Sequence, residues 1–152
     1  MKIFIFWMML ITSFSTFADA KGEIYDIKFG VVEKINGYND IKDEVDTVQL
    51  IPKSEGYRFG FRIIPSNTTS YKYYTVSYLP DSPEHLTGAL KNQSSEAFKS
   101  GFKSPEDTAT GAVLIPCWFD EADPAGTYKI DLYINGVRQK STTFNVIPRH
   151  SK

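Results

Sequence analysis

Residues 127–147, TYKIDLYINGVRQKSTTFNVI, can fold in very few ways. The first arm alternates strictly, with Tyr128, Ile130, Leu132 and Ile134 on one face and Thr127, Lys129, Asp131 and Tyr133 on the other. Such a two-residue period is that of a half-buried strand. Asn135-Gly136 follows. Both central residues of a type I′ turn need positive φ, which Asn tolerates and Gly adopts freely, and the twist of that turn suits a hairpin. The return arm is less regular but ends in Phe144 and Val146 before Pro148 removes a ladder donor. A lone hairpin is marginal in water, so the remaining strands must supply a second layer over its apolar face.

The rest of the chain provides those strands. Tyr25, Ile27, Phe29 and Val31 alternate with Asp26, Lys28 and Gly30, and the strand is expected to break at Asn36-Gly37-Tyr38-Asn39. The charged run 40–46 reads as a solvated connection, and Val45, Val48 and Leu50 suggest a strand ending before Pro52. In GYRFGFRII, Tyr57, Phe59, Phe61 and Ile63 oppose Arg58, Gly60, Arg62 and Ile64. Gly60 has no Cβ, which implies a bulge or the close approach of an aromatic ring.

YKYYTVSYLP is a tyrosine-rich strand in which Tyr74, Val76 and Tyr78 form the more apolar set and are expected to face inward. Tyr71 and Tyr73 would then stand on an outer sheet surface, where paired rings suit a sugar or a protein partner. Residues 80–110 form a long polar excursion, read either as a functional loop or as the cover of an edge strand around Ala97 to Phe102. Long excursions of this sort are either functional or simply mobile, and this one is expected to join Tyr71 and Tyr73 in a recognition surface. GAVLIPCWF, 111–119, is an apolar run whose Pro116 needs a bulge or an edge. Six or seven strands without a strong helix predict an all-β, immunoglobulin-like antiparallel β-sandwich, with a small barrel as the alternative.

Residues 1–20 have the pattern of a secretory signal peptide, with Lys2, an apolar run, and Ala18-Asp19-Ala20 at the cleavage position. Residues 21–152 are then expected to form one exported domain, periplasmic or secreted, with no stable membrane anchor after signal removal. Lys2 and Asp19 leave together, so the net charge stays at −1. Such a balance provides no electrostatic case for nucleic acid, and no cofactor is expected. With Cys117 as the only cysteine, no internal disulfide can form and core burial must hold the domain together.

Three segments carry a resemblance: Gly56-Tyr57-Arg58-Phe59-Gly60-Phe61-Arg62, Phe119-Asp120-Glu121, and the 126–146 hairpin, with Tyr25 to Gly30 compatible. Together these resemble a bacterial family, the domain of unknown function numbered 3859. The resemblance implies an immunoglobulin-like domain without an established activity, so it transfers no catalytic residues.

For chemistry, Cys117 and His85 could serve a small hydrolase or thiol enzyme if an acidic residue joined them within hydrogen-bond reach. No nucleophile signature surrounds either, and Cys117 sits in an apolar run where a thiol usually packs. One Cys and two His lack zinc-ligand spacing. Asp120, Glu121 and Asp123 make an acidic turn that could offer oxygens to Ca²⁺, although acidic residues are common in turns and the EF-hand spacing is absent. The sequence therefore predicts a non-catalytic binding or accessory module that contacts a protein or glycan in the bacterial envelope, with an immunity or inhibitor protein as one form of it.

Overall fold

The computed structural model describes residues 24–67, 69–80, 96–98, 101–120 and 123–149. The first strand, β1 (Tyr25–Ile35), turns at Asn36-Gly37 into β2 (Tyr38–Ile41) and is followed by β3 (Thr47–Leu50). After a single 3-10 turn at Lys53–Glu55 come β4 (Phe59–Pro65) and β5 (Ser70–Tyr78). Short strands β6 (Glu96–Phe98), β7 (Gly101–Lys103) and β8 (Asp107–Thr110) precede β9 (Val113–Cys117) and the closing hairpin, β10 (Gly126–Ile134) with β11 (Val137–Pro148). Of the two readings of the 80–110 excursion, the strand near Ala97 to Phe102 is present, as a small antiparallel pair with β7 continuing onto β5.

The strands form two facing sheets. The smaller runs β2-β1-β4-β9, and the larger runs β3-β11-β10-β5-β7-β6 with β8 also on β5. β1 lies in one sheet and β3 in the other. With β4 and β9 opposing β5, β10 and β11, this is the Greek-key logic of an immunoglobulin-like sandwich. The pairing is antiparallel throughout these named strands except that β3 lies parallel to β11, Val48 opposite Val146. That exception follows from the chain crossing between sheets before β3, which delivers it to the edge in the direction of the last strand.

The closing hairpin forms as its turn chemistry requires, with φ of 50° at Asn135 and 76° at Gly136. The irregular return arm has a cause: Leu132 pairs with Lys140 while Tyr133 pairs with Arg138, so Gln139 is passed over and the phase slips. Lys140 crosses from the larger sheet to donate to the Ile27 carbonyl at 2.9 Å and to pair with Glu44. That hydrogen bond from Lys140 is the main reason the Glu44 carboxyl lies below its ordinary range.

Between the sheets the alternating residues meet in an aromatic core. Phe29 and Phe61 from the smaller sheet are 1% and 0% exposed. Phe29 lies 4.8 Å from Phe144, and Phe59 lies 4.6 Å from Phe119 and 5.5 Å from Phe144. Offset and edge contacts of this kind add about 0.5–1.5 kcal/mol each beyond area burial.

Three sequence expectations change. The break expected at 36–39 and the start of the charged connection are the turn and strand of β2, because Asn36-Gly37 closes a hairpin onto β1. The phase of β5 is reversed: Tyr71, Thr75 and Ser77 are buried, and Tyr74, Val76 and Tyr78 are on the other face. Gly60 is approached by neither a ring nor a bulge. The ladder runs without a slip between Gly30 and Pro116, and a Cβ at position 60 would stand 2.0 Å from the Ile115 carbonyl oxygen. Pro116 itself sits on β9, the edge of its sheet, where a missing donor costs least.

Candidate functional site

Tyr71 and Tyr73, expected on the surface, point the other way. Tyr71 is 1% exposed and its hydroxyl donates to the Gly111 carbonyl at 2.8 Å. Tyr73 packs against the core and donates to Asp107 at 3.1 Å. Burial first, and then that bond and the Asp107 charge, push the Tyr73 phenol up to about 12. These rings fasten β8 and the segment after it to β5, so they do not form the outer tyrosine face that the sequence suggests.

The reversal brings a different set of rings to the outside. Tyr74 on β5 lies directly opposite Tyr133 on β10, and the rings stack at 4.8 Å with planes 7° apart. From the β7 side the Lys103 ammonium sits 4.3 Å from the Tyr74 centroid. Four residues along the same strand pair, Lys129 is opposite Tyr78 and its Nζ lies 4.8 Å from that ring. Tyr133 was visible in sequence on the polar face of the hairpin, but only the register shows which ring it meets.

Asp131 is the electrostatic centre of this face. It is 1% exposed despite being on the outer side of its strand, because Lys129 and Arg138 close over it at 3.2 and 3.7 Å. Burial pushes the carboxyl up, but the Ser141 hydroxyl, Lys129 and Arg138 together hold it below its ordinary range. Asp131 thus stays ionised and fixes two cations among the tyrosines. With one ring face of Tyr74 on Tyr133 and the other under Lys103, this surface presents ring edges, hydroxyls and cationic heads. Such a surface reads carboxylates and other acceptors better than it stacks on a flat apolar ligand.

The other sequence candidates do not assemble. Cys117 lies on β9 opposite Phe59, and burial pushes its thiol up to about 12, so the thiolate that nucleophilic chemistry requires does not form near neutrality. His85 and Glu121 lie outside the described residues. Asp120 and Asp123 bond to one another, the Asp120 amide donating to the Asp123 carboxylate at 2.7 Å and the Asp123 amide to the Asp120 carbonyl at 3.2 Å. That pattern is the turn chemistry of short acidic side chains. Among the described residues no group of three or more His, Cys, Asp or Glu could hold a metal ion, and no helix is long and apolar enough to cross a membrane.

A family model, the PM0630 beta sandwich domain, matches residues 27–147. The sandwich part of the sequence resemblance is shown by this match; the designation 3859 is not. Comparison with curated proteins gives no match. Among solved structures the chain is similar to an immunoglobulin-like protein (PA1606) from Pseudomonas aeruginosa, at 15% identity and a TM-score of 0.49, over 80% of this chain and 92% of that one. It is also similar to part of the alkylpurine DNA glycosylase AlkC of Pseudomonas fluorescens, at 10% identity and a TM-score of 0.38, over 80% of this chain and 30% of that one.

Proposed function

The chain belongs to the PM0630 beta sandwich domain family, and from that premise we propose that it is an exported, non-catalytic binding module for a protein or glycan of the bacterial envelope. The observation that carries this reading is the outer face of the larger sheet, where the stacked Tyr74 and Tyr133 are set among Lys103, Lys129 and Arg138. Tyr and Arg dominate binding energy at interfaces because they combine large contact area with hydrogen bonding. The covered ring faces and the excess of cations favour a protein with an acidic or acceptor-rich surface over a glycan. An immunity or inhibitor protein, which blocks an exported enzyme by covering it, would use such a face without chemistry of its own.

Export rests on the signal-like residues 1–20, and mass spectrometry of the mature product checks it: the expected first residue is Lys21. The binding reading is tested by crosslinking the purified domain in envelope extract and repeating with Tyr133→Ala and with Lys103→Glu. A partner bound through this face is lost from both folded variants, with about 2 kcal/mol or more of affinity attached to the tyrosine. Equal recovery of the same partner by wild type and both variants would move the site off this face.

A further inference from the structure

β5 breaks a rule that β1, β4 and β10 obey. Its outer side carries Tyr74, Val76 and Tyr78, and its inner side, beyond the two anchoring tyrosines, carries the buried hydroxyls of Thr75 and Ser77. In a sandwich core, small hydroxyl side chains cost both packing and desolvation unless something meets them. What they leave is space. A cavity of about 160 Å³ lies between the sheets, bounded by Thr75 and Ser77 on one side and by Phe59, Phe119, Tyr128 and Phe144 on others. Because β9 is the edge of the smaller sheet while the larger continues through β7, the cavity sits at the step between them. Half-exposed Phe102, Trp118 and Asp123 lie toward its rim.

Size and lining together specify a class of occupant. An apolar protein cavity of about 150 Å³ takes benzene, so this one has room for a single ring. Its wall is mostly aromatic and aliphatic, with hydroxyls from Thr75, Ser77 and Ser104 on one side and the Asp120 and Asp123 carboxylates on another. Ser104 is already engaged, accepting from the Thr75 amide at 2.9 Å and donating to the Pro105 carbonyl at 3.1 Å, which fixes the strand that bears the hydroxyls. Asp120 and Asp123 near the rim oppose an anionic ligand. Cys117 also lines the cavity, and its half-buried thiol, pushed up by desolvation, adds apolar surface rather than reactivity.

We propose that this cavity is a binding site for a small neutral molecule of one ring, or of similar apolar bulk, carrying a single hydroxyl or carbonyl that meets Thr75 or Ser77. The site is internal and separate from the outer tyrosine face, so it stands whether or not that face binds a partner.

The test uses phenol and benzene as probes, with amide and Ile methyl signals of the mature domain followed by NMR. Saturable shifts confined to residues around the cavity are expected from both, with phenol about fivefold tighter, the weight of one net hydrogen bond. Thr75→Val together with Ser77→Ala should remove that preference and leave benzene bound. Ser77→Leu, which fills the space, should abolish both sets of shifts with the melting temperature kept or raised; Thr75→Ile serves the same purpose if the leucine variant does not fold. Absent or scattered shifts in the wild type, equal affinity for the two probes, or shifts that persist in the filled variant would each overturn the proposal. So would bound water that neither probe displaces.

Discussion

Gly60→Ala is a severe test of how β9 is held. Phe59 and Phe61 point into the core, so a methyl at position 60 would emerge on the other side of β4, between Gly30 and Pro116. There it would lie 2.0 Å from the Ile115 carbonyl oxygen. A carbon and a carbonyl oxygen approach to about 3.3 Å at closest, so β9 must move by more than about 1 Å. That movement breaks the ladder bonds on either side of position 60, about 1 kcal/mol net for each of two. The backbone angle adds to this, since φ is 152° and a non-glycine residue held there costs about 1–3 kcal/mol. The expected loss is about 3–5 kcal/mol, a large share of the roughly 5–15 kcal/mol that holds a domain folded. Urea unfolding measures it, and at a slope of about 1–3 kcal/mol/M the midpoint should drop by about 2 M. Gly111→Ala is the control, because φ there is 80° but no atom lies within 4 Å of the added methyl. If Gly60→Ala loses no more stability than Gly111→Ala, contact with Ile115 is not what keeps position 60 a glycine, and the reasoning fails.

Phe61→Ala removes a ring with no exposed surface from the centre of the aromatic core, and about 3–5 kcal/mol of stability should go with it in the same urea assay. Cys117 bears on alkaline stability: burial pushes its folded thiol up to about 12, against about 8.5 in an unfolded chain, so its contribution is full below about pH 8.5 and declines as pH rises toward 12. Cys117→Ala should flatten the stability profile between about pH 8.5 and 10, before the tyrosines add their own slope. Asp131 bears on acid stability in the opposite sense. Its lowered carboxyl contributes above about pH 4, its unfolded value, and that contribution is lost as pH falls through the lower folded value. Asp131→Asn should therefore show a shallower acid limb by chemical denaturation at a series of pH values.

What could be read from the sequence was what a single strand declares about itself. β1, β4 and β10 each carry a clean apolar alternation, and their inward faces are the ones the alternation indicates. What could not be read was set by partners distant in the chain. The parallel match of β3 to β11 joins residues about a hundred positions apart, and neither segment carries a mark of the other. β2 is a different kind of omission. Asn36-Gly37 is the same turn dipeptide as Asn135-Gly136, and both Asn residues adopt positive φ. In sequence YNDI reads as a break followed by the start of a charged connection, yet Ile41 at its end is 1% exposed and the other three residues line an open edge.

β5 shows why an alternating pattern can mislead about which face is buried. Reading its apolar set inward assumes that burial alone selects the face, and for Tyr74, Val76 and Tyr78 that assumption is false. The outward rings are retained by neighbours on both sides, Tyr133 and Lys129 from β10 and Lys103 from β7, which shield them without placing them in the core. The inward side meanwhile trades bulk for hydroxyls at Thr75 and Ser77 and leaves a cavity that a leucine or valine would have filled. A strand selected only for stability would reverse both choices, because each forgoes apolar burial. Local rules and global fold usually agree in a natural sequence, and their conflicts collect where something other than stability is being selected. On that argument the proposed partner face and the proposed ligand cavity share one strand, β5, as the two sides on which its pattern forgoes apolar burial.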